Sequence, residues 1–186
     1  MLSVQNISTN LKNQRLTAAN KAQYTTRKMY LQPMSDKVSF GNFPHNFAEV
    51  IPNKLFRGAL PNWRQLEYLK NNKSLKYVVD FSPSKTEKAM VEELEMNYVP
   101  VRLAGDDEED FVSTVVSAAK KIAELLDGGP VFAHCEMGQK RTGYVIAVCQ
   151  KLIQKLSDEE IINNASKHGN DSIGDLLRLI KSSEQV

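Results

Sequence analysis

The sequence predicts an α/β fold in which a mainly parallel central sheet is flanked by helices. Short apolar runs alternate along the chain with segments whose apolar residues recur at helical spacing, and this alternation is typical of a parallel sheet. Clusters of Gly, Pro and Ser separate the segments, as at residues 82–84 and 128–130. We therefore expect a single domain that begins near Gly41 and extends to residue 186.

The first half of this domain is predicted to contain three strands and two helices. The first helix follows Asn62, because Trp63, Leu66 and Leu69 recur at the spacing of one helix face. Pro100 is expected at a sheet edge or at the end of its strand, since proline cannot donate to a sheet ladder. The predicted elements are a strand at 55–57, the helix after Asn62, a strand at 77–81, a helix at 85–96 and a strand at 98–103.

The second half is predicted to contain one strand and four helices. An acidic turn at residues 105–110 precedes a long helix that starts at about Phe111, whose apolar residues form one stripe. Residues 128–130 end this helix, and the apolar run at 131–133 predicts a buried strand. The remaining predicted elements are an apolar helix from Arg141 to about Gln154, a helix opened by a capping box at 157–160 and closed near Gly169, and an amphipathic helix at 175–180.

Composition and charge limit the classes of protein to which the chain can belong. The 186 residues are 41% hydrophobic and 25% charged, which is ordinary for a soluble globular protein. No apolar run is long enough to span a bilayer, so we expect no stable membrane insertion. Residues 1–40 carry six Lys or Arg residues and one acidic residue in a polar background, which predicts a disordered basic leader. Because this leader lacks a dense Lys/Arg block, we expect no nucleic-acid partner.

The two cysteines, Cys135 and Cys149, do not make a disulfide framework. Cys149 lies among apolar residues in a predicted helix, and we interpret it as a core side chain. Thiol chemistry at Cys135 requires a reducing compartment, so we expect a cytoplasmic protein and leave an exported effector open. The three histidines lack the spacing of metal ligands. We therefore expect no metal and no cofactor, and we expect a monomer.

The most informative segment is residues 131–143, in which Cys135 and Arg141 are six positions apart around Gly138. A loop between a strand end and a helix start directs unpaired backbone N–H groups towards one point, where the helix dipole is also positive. Such a loop stabilises a thiolate, and an arginine across it can hold two phosphate oxygens. The segment therefore predicts a phosphate-binding loop with a nucleophile at its floor. A buried, inert cysteine is the alternative.

The pattern His-Cys-x5-Arg-Thr-Gly at residues 134–143 resembles the signature of the cysteine-dependent protein tyrosine phosphatase superfamily, in its atypical, bacterial dual-specificity branch. Residues 46–61 are similar to the opening of atypical bacterial, plant and fungal members, and the resemblance covers about residues 41–180. It implies a tyrosine-phosphatase-like fold and a dual-specificity-phosphatase-like domain. It also implies hydrolysis of phosphomonoesters through a cysteinyl-phosphate intermediate. The implied substrates are phosphotyrosine or phosphoserine/threonine proteins, or inositol phosphates.

The resemblance also implies a role for each residue of the loop. Cys135 is the nucleophile, and Arg141 holds the phosphoryl oxygens in substrate and transition state. Thr142 donates its hydroxyl to the cysteine sulfur and eases departure of the thiolate, while His134 orders the loop through hydrogen bonds. The phosphate-binding residues are Glu136, Met137, Gly138, Gln139, Lys140 and Arg141. Lys140 adds positive charge to the rim, which is compatible with a multiply charged substrate.

The resemblance implies a general acid on a separate, upstream loop, and the acidic turn is the candidate. We favour Asp107 and then Asp106, because the loop should end before the helix that starts at about Phe111. Asp110 also lies in this turn. The alternative for each aspartate is capping of that helix or a favourable interaction with its dipole.

Two other functions remain open from the sequence. A rhodanese-like sulfurtransferase also places Cys and Arg on a loop, although Thr142, Gly143 and the acidic turn argue against it. A catalytically silent phosphate-binding module would keep the loop and lack turnover.

Overall fold

The computed structural model describes residues 41–184, so the predicted leader at residues 1–40 lies outside the described part of the chain. Five strands form one sheet in the order β1-β2-β5-β3-β4. β1 pairs with β2 in antiparallel fashion, and the other neighbours are parallel. The mainly parallel α/β sheet is thereby confirmed. The strands are β1 Ala48–Ile51, β2 Leu55–Ala59, β3 Tyr77–Asp80, β4 Asn97–Pro100 and β5 Val131–Cys135.

Helices connect and cover these strands. They are α1 Trp63–Lys73, α2 Lys85–Glu93, α3 Phe111–Gly128, α4 Lys140–Cys149, α5 Asp158–Ser166 and α6 Ile173–Ser183. A π-helical turn, Gln150–Gln154, follows α4 directly. Among residues 41–184, none of the helices is both long enough and apolar enough to cross a membrane.

Local sequence signals explain where several helices begin. Asn62 caps α1 in a reciprocal capping box with Gln65, and Ser157 caps α5 in the same way with Glu160. Both helix starts were predicted from the sequence, and the predicted capping box at Ser157 is confirmed. Gly169 has a φ of +76°, the left-handed conformation expected of a glycine just beyond a helix end.

β5 lies at the centre of the sheet, between β2 and β3, and all five of its residues are buried. Alternate side chains point to opposite faces of a strand. Val131, Ala133 and Cys135 belong to the main core, which includes residues of α3, α4 and α6. The rings of Phe132 and His134 stack on each other with centroids 5.2 Å apart. Cys135 therefore lies at the carboxyl end of the central strand.

Several predicted boundaries were wrong. The helix predicted to run to Met96 ends at Glu93, because Glu95 adopts a left-handed φ of +54°. The next strand begins at Asn97 and stops at Pro100 rather than continuing to residue 103. This strand lies at the sheet edge, as the proline indicated.

Two further elements, the strand β1 and the π-helical turn after α4, were not predicted. β1 is a four-residue edge strand joined to β2 by a turn in which Asn53 has a φ of +58°. The helix predicted to continue to Gln154 starts one residue early, at Lys140, and changes to π-helical hydrogen bonding after Cys149.

Candidate active site

The Cys loop, which we define as residues 135–141, joins the end of β5 to the start of α4. Cys135 is 3% exposed and lies at the wall of a cavity of about 400 Å³. Because α4 begins at Lys140, the unpaired N–H groups of its first turn lie at the same loop. The cavity is lined by Leu103, Ala104, Gly105, Asp106, Phe111, Cys135, Glu136, Met137, Gln139, Lys140, Arg141 and Tyr144.

Gly138 shapes the Cys loop. Its φ of +67° is a conformation that side-chain-bearing residues rarely adopt. A Cβ atom at this position would lie 2.4 Å from the carbonyl carbon of Gly58, which is far inside van der Waals contact. The loop therefore packs directly on the end of β2, and only glycine allows that approach.

Arg57, in β2, supports the loop from below, and the sequence reasoning did not assign it a role. Its side chain is 2% exposed, and Nη2 donates a hydrogen bond of 2.6 Å to the carbonyl oxygen of Gly138. Burial lowers the pKa of Arg57 to about 10, while the nearby Cys135 acts in the opposite direction. The guanidinium therefore stays charged at neutral pH. A charged residue inside an otherwise apolar predicted strand was the signal that could have found it.

Arg141 is in the first turn of α4 and lines the cavity. Its Nη1 atom donates a hydrogen bond of 3.1 Å to the backbone carbonyl oxygen of Phe81, just beyond the end of β3. This contact anchors the guanidinium to the chain just after β3, the strand next to β5. The structure therefore brings Cys135 and Arg141 to the same cavity, as the sequence predicted.

His134 is fully buried and precedes Cys135 at the end of β5. Its Nε2 atom lies 2.7 Å from Oε1 of Glu87, and Nδ1 lies 3.4 Å from the carbonyl oxygen of Cys135. Burial raises the pKa of Glu87, against the hydrogen bond from His134. The histidine thus connects the backbone of Cys135 to a buried carboxyl group.

Asp80 completes this buried cluster. Its Oδ1 accepts a hydrogen bond from the backbone N–H of Ser82, and its Oδ2 accepts one of 2.7 Å from the hydroxyl of Tyr98. Burial alone would raise the pKa of Asp80, but His134 and the hydrogen bonds outweigh it and hold the pKa below its usual value. Asp80 therefore carries a charge inside the protein, which its partners compensate.

Asp80, Glu87 and His134 offer ligand atoms that lie within 4.8 Å of one another, so they are a candidate metal site. Two ligand atoms of one metal ion generally lie more than about 3 Å apart. The 2.7 Å between Nε2 of His134 and Oε1 of Glu87 is instead a hydrogen-bond distance. Since both carboxylate oxygens of Asp80 also accept hydrogen bonds, the cluster fits a proton-sharing network better than a metal centre.

The three aspartates of the acidic turn lie in different surroundings. Asp106 lines the cavity and forms an ion pair with Lys140. The Lys140 ammonium beside Asp106 holds the pKa of that carboxyl below its usual value. Asp107 is exposed and is not among the residues that line the cavity. Asp110 is the N-cap residue of α3, although its side chain makes no capping hydrogen bond.

Thr142 and Cys149 lie on α4. Thr142 is fully buried, and its hydroxyl makes no hydrogen bond within residues 41–184. Cys149 is 1% exposed, and burial raises the pKa of its thiol to about 12. The thiol of Cys149 is thus an inert core group, as its sequence context indicated. Both cysteines are free.

The comparisons with known proteins agree with this geometry. Residues 43–167 match the model of the tyrosine phosphatase family. The chain therefore belongs to the tyrosine phosphatase family, and the resemblance of its Cys loop to this superfamily is confirmed. A search of curated protein sequences returned no match.

Three solved structures illustrate the similarity of the fold. TpbA of P. aeruginosa has a TM-score of 0.63 at 22% identity, over 74% of this chain and 84% of TpbA. The core catalytic domain of the PP-IP phosphatase SIW14 from S. cerevisiae, in complex with citrate, has a TM-score of 0.64 at 20% identity, over 75% and 85%. PTPMT1 in complex with PI(5)P has a TM-score of 0.60 at 14% identity, over 75% and 97%. At these identities the likeness concerns the fold, and the tyrosine-phosphatase-like fold is thereby confirmed.

Proposed function

We propose that this protein is a phosphatase that hydrolyses phosphomonoesters through a cysteinyl-phosphate intermediate. The observation that carries the proposal is the convergence of Cys135, Arg141 and the N-terminus of α4 on one cavity, with the buried Arg57 beneath. Membership of the tyrosine phosphatase family supports hydrolysis over the sulfurtransferase alternative. The proposed thiol chemistry at Cys135 requires a reducing compartment, and we therefore propose a cytoplasmic location.

In the first step, the Cys135 thiolate attacks phosphorus and the bond from phosphorus to the ester oxygen breaks. The guanidinium of Arg141 and the N–H groups of the Cys loop stabilise the equatorial oxygens. In the second step, water attacks phosphorus, the bond from sulfur to phosphorus breaks and inorganic phosphate leaves. We assign the hydroxyl of Thr142, which is buried and makes no hydrogen bond to the Cys135 sulfur in this structure, the role of donating to the thiolate as it departs.

Asp106 is the aspartate that we assign as general acid. It lines the cavity, whereas the exposed Asp107, which the sequence favoured, does not. In the first step, the Asp106 carboxyl gives its proton to the leaving oxygen. In the second step, its carboxylate takes a proton from the attacking water. The ion pair with Lys140 positions Asp106 at the loop, and an entering phosphoryl dianion competes for the same ammonium group.

The charges around the cavity favour a substrate with one phosphoryl group on an aromatic leaving group. The positive charge of Lys140 is already paired with Asp106, and Glu136 adds an exposed carboxylate. The walls are apolar at Phe111 and Met137, the latter 54% exposed. An aryl group can pack on these walls. Beyond Arg141, the described lining offers a second phosphoryl group only Lys140, for which it must compete with Asp106. A TpbA structure holds pTyr, which supports this class of substrate.

The experiment that tests the function is hydrolysis of a chromogenic aryl phosphate by the wild type and by Cys135→Ser. We expect turnover by the wild type and none above background by the variant, with Cys149→Ser, which changes the core thiol, as the matched control. Equal rates for the wild type and Cys135→Ser would end the proposal. Tight binding of a phosphopeptide without turnover by the wild type would favour a silent phosphate-binding module.

The substrate class is tested with a panel. We expect a phosphotyrosine peptide to be hydrolysed with a higher kcat/KM than phosphoserine peptides or inositol hexakisphosphate. A preference for the inositol polyphosphate would contradict the charge argument and leave the hydrolytic proposal intact.

A further inference from the structure

The segment between α5 and α6 packs on the turn where the Cys loop passes into α4. Nδ2 of Asn170 donates a hydrogen bond of 3.2 Å to the carbonyl oxygen of Lys140. Gly169 lies against the side chain of Gln139, since a methyl group added to this glycine would be 3.0 Å from Nε2 of the glutamine. The segment therefore contacts both of the residues that directly precede Arg141 in the chain.

Asn170 is itself held in one orientation. The residue is 1% exposed, and its backbone N–H donates to the carbonyl oxygen of Ala165 at 3.1 Å. Its Oδ1 accepts a hydrogen bond of 3.2 Å from the backbone N–H of Ser172. Because the acceptor side of the amide is engaged there, the donor side faces Lys140. Both polar atoms of this buried side chain thus have partners, and the amide joins the α5–α6 segment to the start of α4.

Gly143, the last residue of the His-Cys-x5-Arg-Thr-Gly pattern, lies against the same amide. A Cβ atom at this position would be 2.5 Å from Nδ2 of Asn170 and 3.0 Å from its Cβ. Gly143 lies inside α4 and its φ is not positive, so its backbone conformation does not require glycine. Glycine is also less favourable than alanine in a helix. The close approach of Asn170 therefore explains why glycine stands here.

The amide of Asn170 contacts α4 on both sides of Arg141, one residue before it and two residues after it. The guanidinium at the far end of the Arg141 side chain donates to the carbonyl oxygen of Phe81. We propose that Asn170 is a positioning residue, which fixes the backbone from which Arg141 reaches the phosphoryl oxygens. This inference rests on the phosphate-binding function proposed for the Cys loop.

The shape of the guanidinium makes its position important. An arginine holds a phosphoryl group through two parallel N–H···O bonds in a planar fork, so the angle of approach is specific. A misplacement of about 1 Å can cost about 10²-fold in rate. Without the amide of Asn170, the first turn of α4 loses a contact on one side while the guanidinium stays bonded to Phe81. The fork of Arg141 then meets the phosphoryl oxygens at a changed angle.

The first measurement is the affinity of the full chain for vanadate, by isothermal titration calorimetry. Asn170→Asp keeps the shape of the side chain and its Oδ1 but loses the Nδ2 donor. We expect this variant and Asn170→Ala to bind vanadate about tenfold more weakly, as the loss of one hydrogen bond typically costs. Gly143→Ala, which keeps the asparagine but crowds it, should also weaken binding. The matched control Asn163→Ala, at an exposed position of α5, should leave the affinity unchanged.

The second measurement separates positioning from a general loss of structure. In proton–nitrogen NMR spectra of the ligand-free chain, the Nε–H signals of Arg141 and Arg57 are assigned by their absence from Arg141→Lys and Arg57→Lys. We expect Asn170→Asp to shift the Arg141 signal. The signal of Arg57, which supports the Cys loop from β2, should stay in place.

Three results would overturn the inference. Wild-type vanadate affinity in both Asn170 variants, with aryl phosphate still hydrolysed, would remove the positioning role and leave the proposed phosphatase intact. A shift of the Arg57 signal as large as that of Arg141 would show that the substitution loosens the whole loop. No vanadate binding by the wild type would contradict the function proposed for the Cys loop, and this inference with it.

Discussion

Lys140, the first residue of α4, forms an ion pair with Asp106 in the acidic turn, 34 positions earlier in the chain. This contact joins the Cys loop to the separate loop that carries the candidate general acid. It also explains why Asp106, rather than its neighbour Asp107, lines the cavity over Cys135.

The two aspartates can be separated by matched substitutions. Asp106→Asn should lower kcat for a substrate with a poor leaving group by about 10²–10⁴, because the leaving oxygen then departs without a proton. Asp107→Asn should leave kcat within a few-fold of the wild type. Vanadate affinity should change little in either variant, since Arg141 and the loop remain. A large loss in Asp107→Asn alone would return the assignment to the residue that the sequence favoured.

The ion pair also predicts a pH dependence. A general acid must be protonated, so kcat/KM falls as the pH rises through its pKa. Lys140 holds the pKa of Asp106 below its usual value, which places this falling limb at low pH. Lys140→Gln should therefore move the falling limb to higher pH, as measured in profiles of kcat/KM. An exposed lysine away from the site, Lys120, supplies the control Lys120→Gln, whose profile should match the wild type. A shift to lower pH would contradict the pairing.

The buried cluster of Asp80, Glu87 and His134, next to Cys135, leads to a prediction about stability. Tyr98→Phe removes the hydroxyl that donates to the buried carboxylate of Asp80. The free energy of unfolding at pH 7 should fall by about 1.5–3 kcal/mol, because a hydrogen bond to a charged group is lost. Tyr68→Phe, on a ring that packs against Phe43, is the control and should change it by less than about 0.5 kcal/mol.

The sign of the pH dependence follows from the pKa of Asp80, which lies below its usual value in the folded protein. The stabilisation by this carboxylate is fully present above the pKa of the unfolded chain, about 3.9, and is lost as the pH falls through the folded-state value. The difference between the wild type and Tyr98→Phe should therefore shrink in acid. A difference that stays constant from pH 7 down to the pH at which the protein unfolds would show that the tyrosine acts through packing alone.

The packing of the Cys loop on β2 predicts the effect of Gly138→Ala. The new methyl group would meet the backbone of Gly58 at 2.4 Å, and the φ of +67° would be strained. Activity should be lost to below about 1% of the wild type as the loop moves. Gly174→Ala is the matched control, because nothing lies within 4 Å of its added methyl group. That variant should keep full activity and gain up to about 1 kcal/mol, since alanine favours a helix.

The parts of the fold that could be predicted from the sequence are those with local causes. The capping box at Ser157, the apolar stripe of α3 and the buried run of β5 each depend on neighbouring residues. The four-residue strand β1 was missed because it is short and contains three partly buried residues and one exposed residue, so it has no buried apolar run. The end of α2 was misplaced because the left-handed turn at Glu95 leads into pairing with β3, which lies elsewhere in the chain.

In the candidate site, too, the features with local causes could be predicted and those that depend on distant residues could not. Cys135 and Arg141 lie within one short segment, so the sequence alone could place them at one site. The hydrogen bond from Arg57 to Gly138 joins residues that are 81 positions apart in the sequence. Glu87, in α2, contacts His134 in β5. These contacts depend on the order of the strands in the sheet, which local sequence patterns do not predict. The choice between two adjacent aspartates depended on the position of Lys140 in space.

The most direct test of the central claim is to trap the covalent intermediate. An aryl phosphate carrying labelled phosphorus is mixed with the wild type and quenched within one turnover, and the protein is digested and analysed by mass spectrometry. We predict phosphate on Cys135 in stoichiometric amount during the burst, and none on Cys149. Rapid release of phosphate by a protein that carries no label on Cys135 at any time would contradict the account.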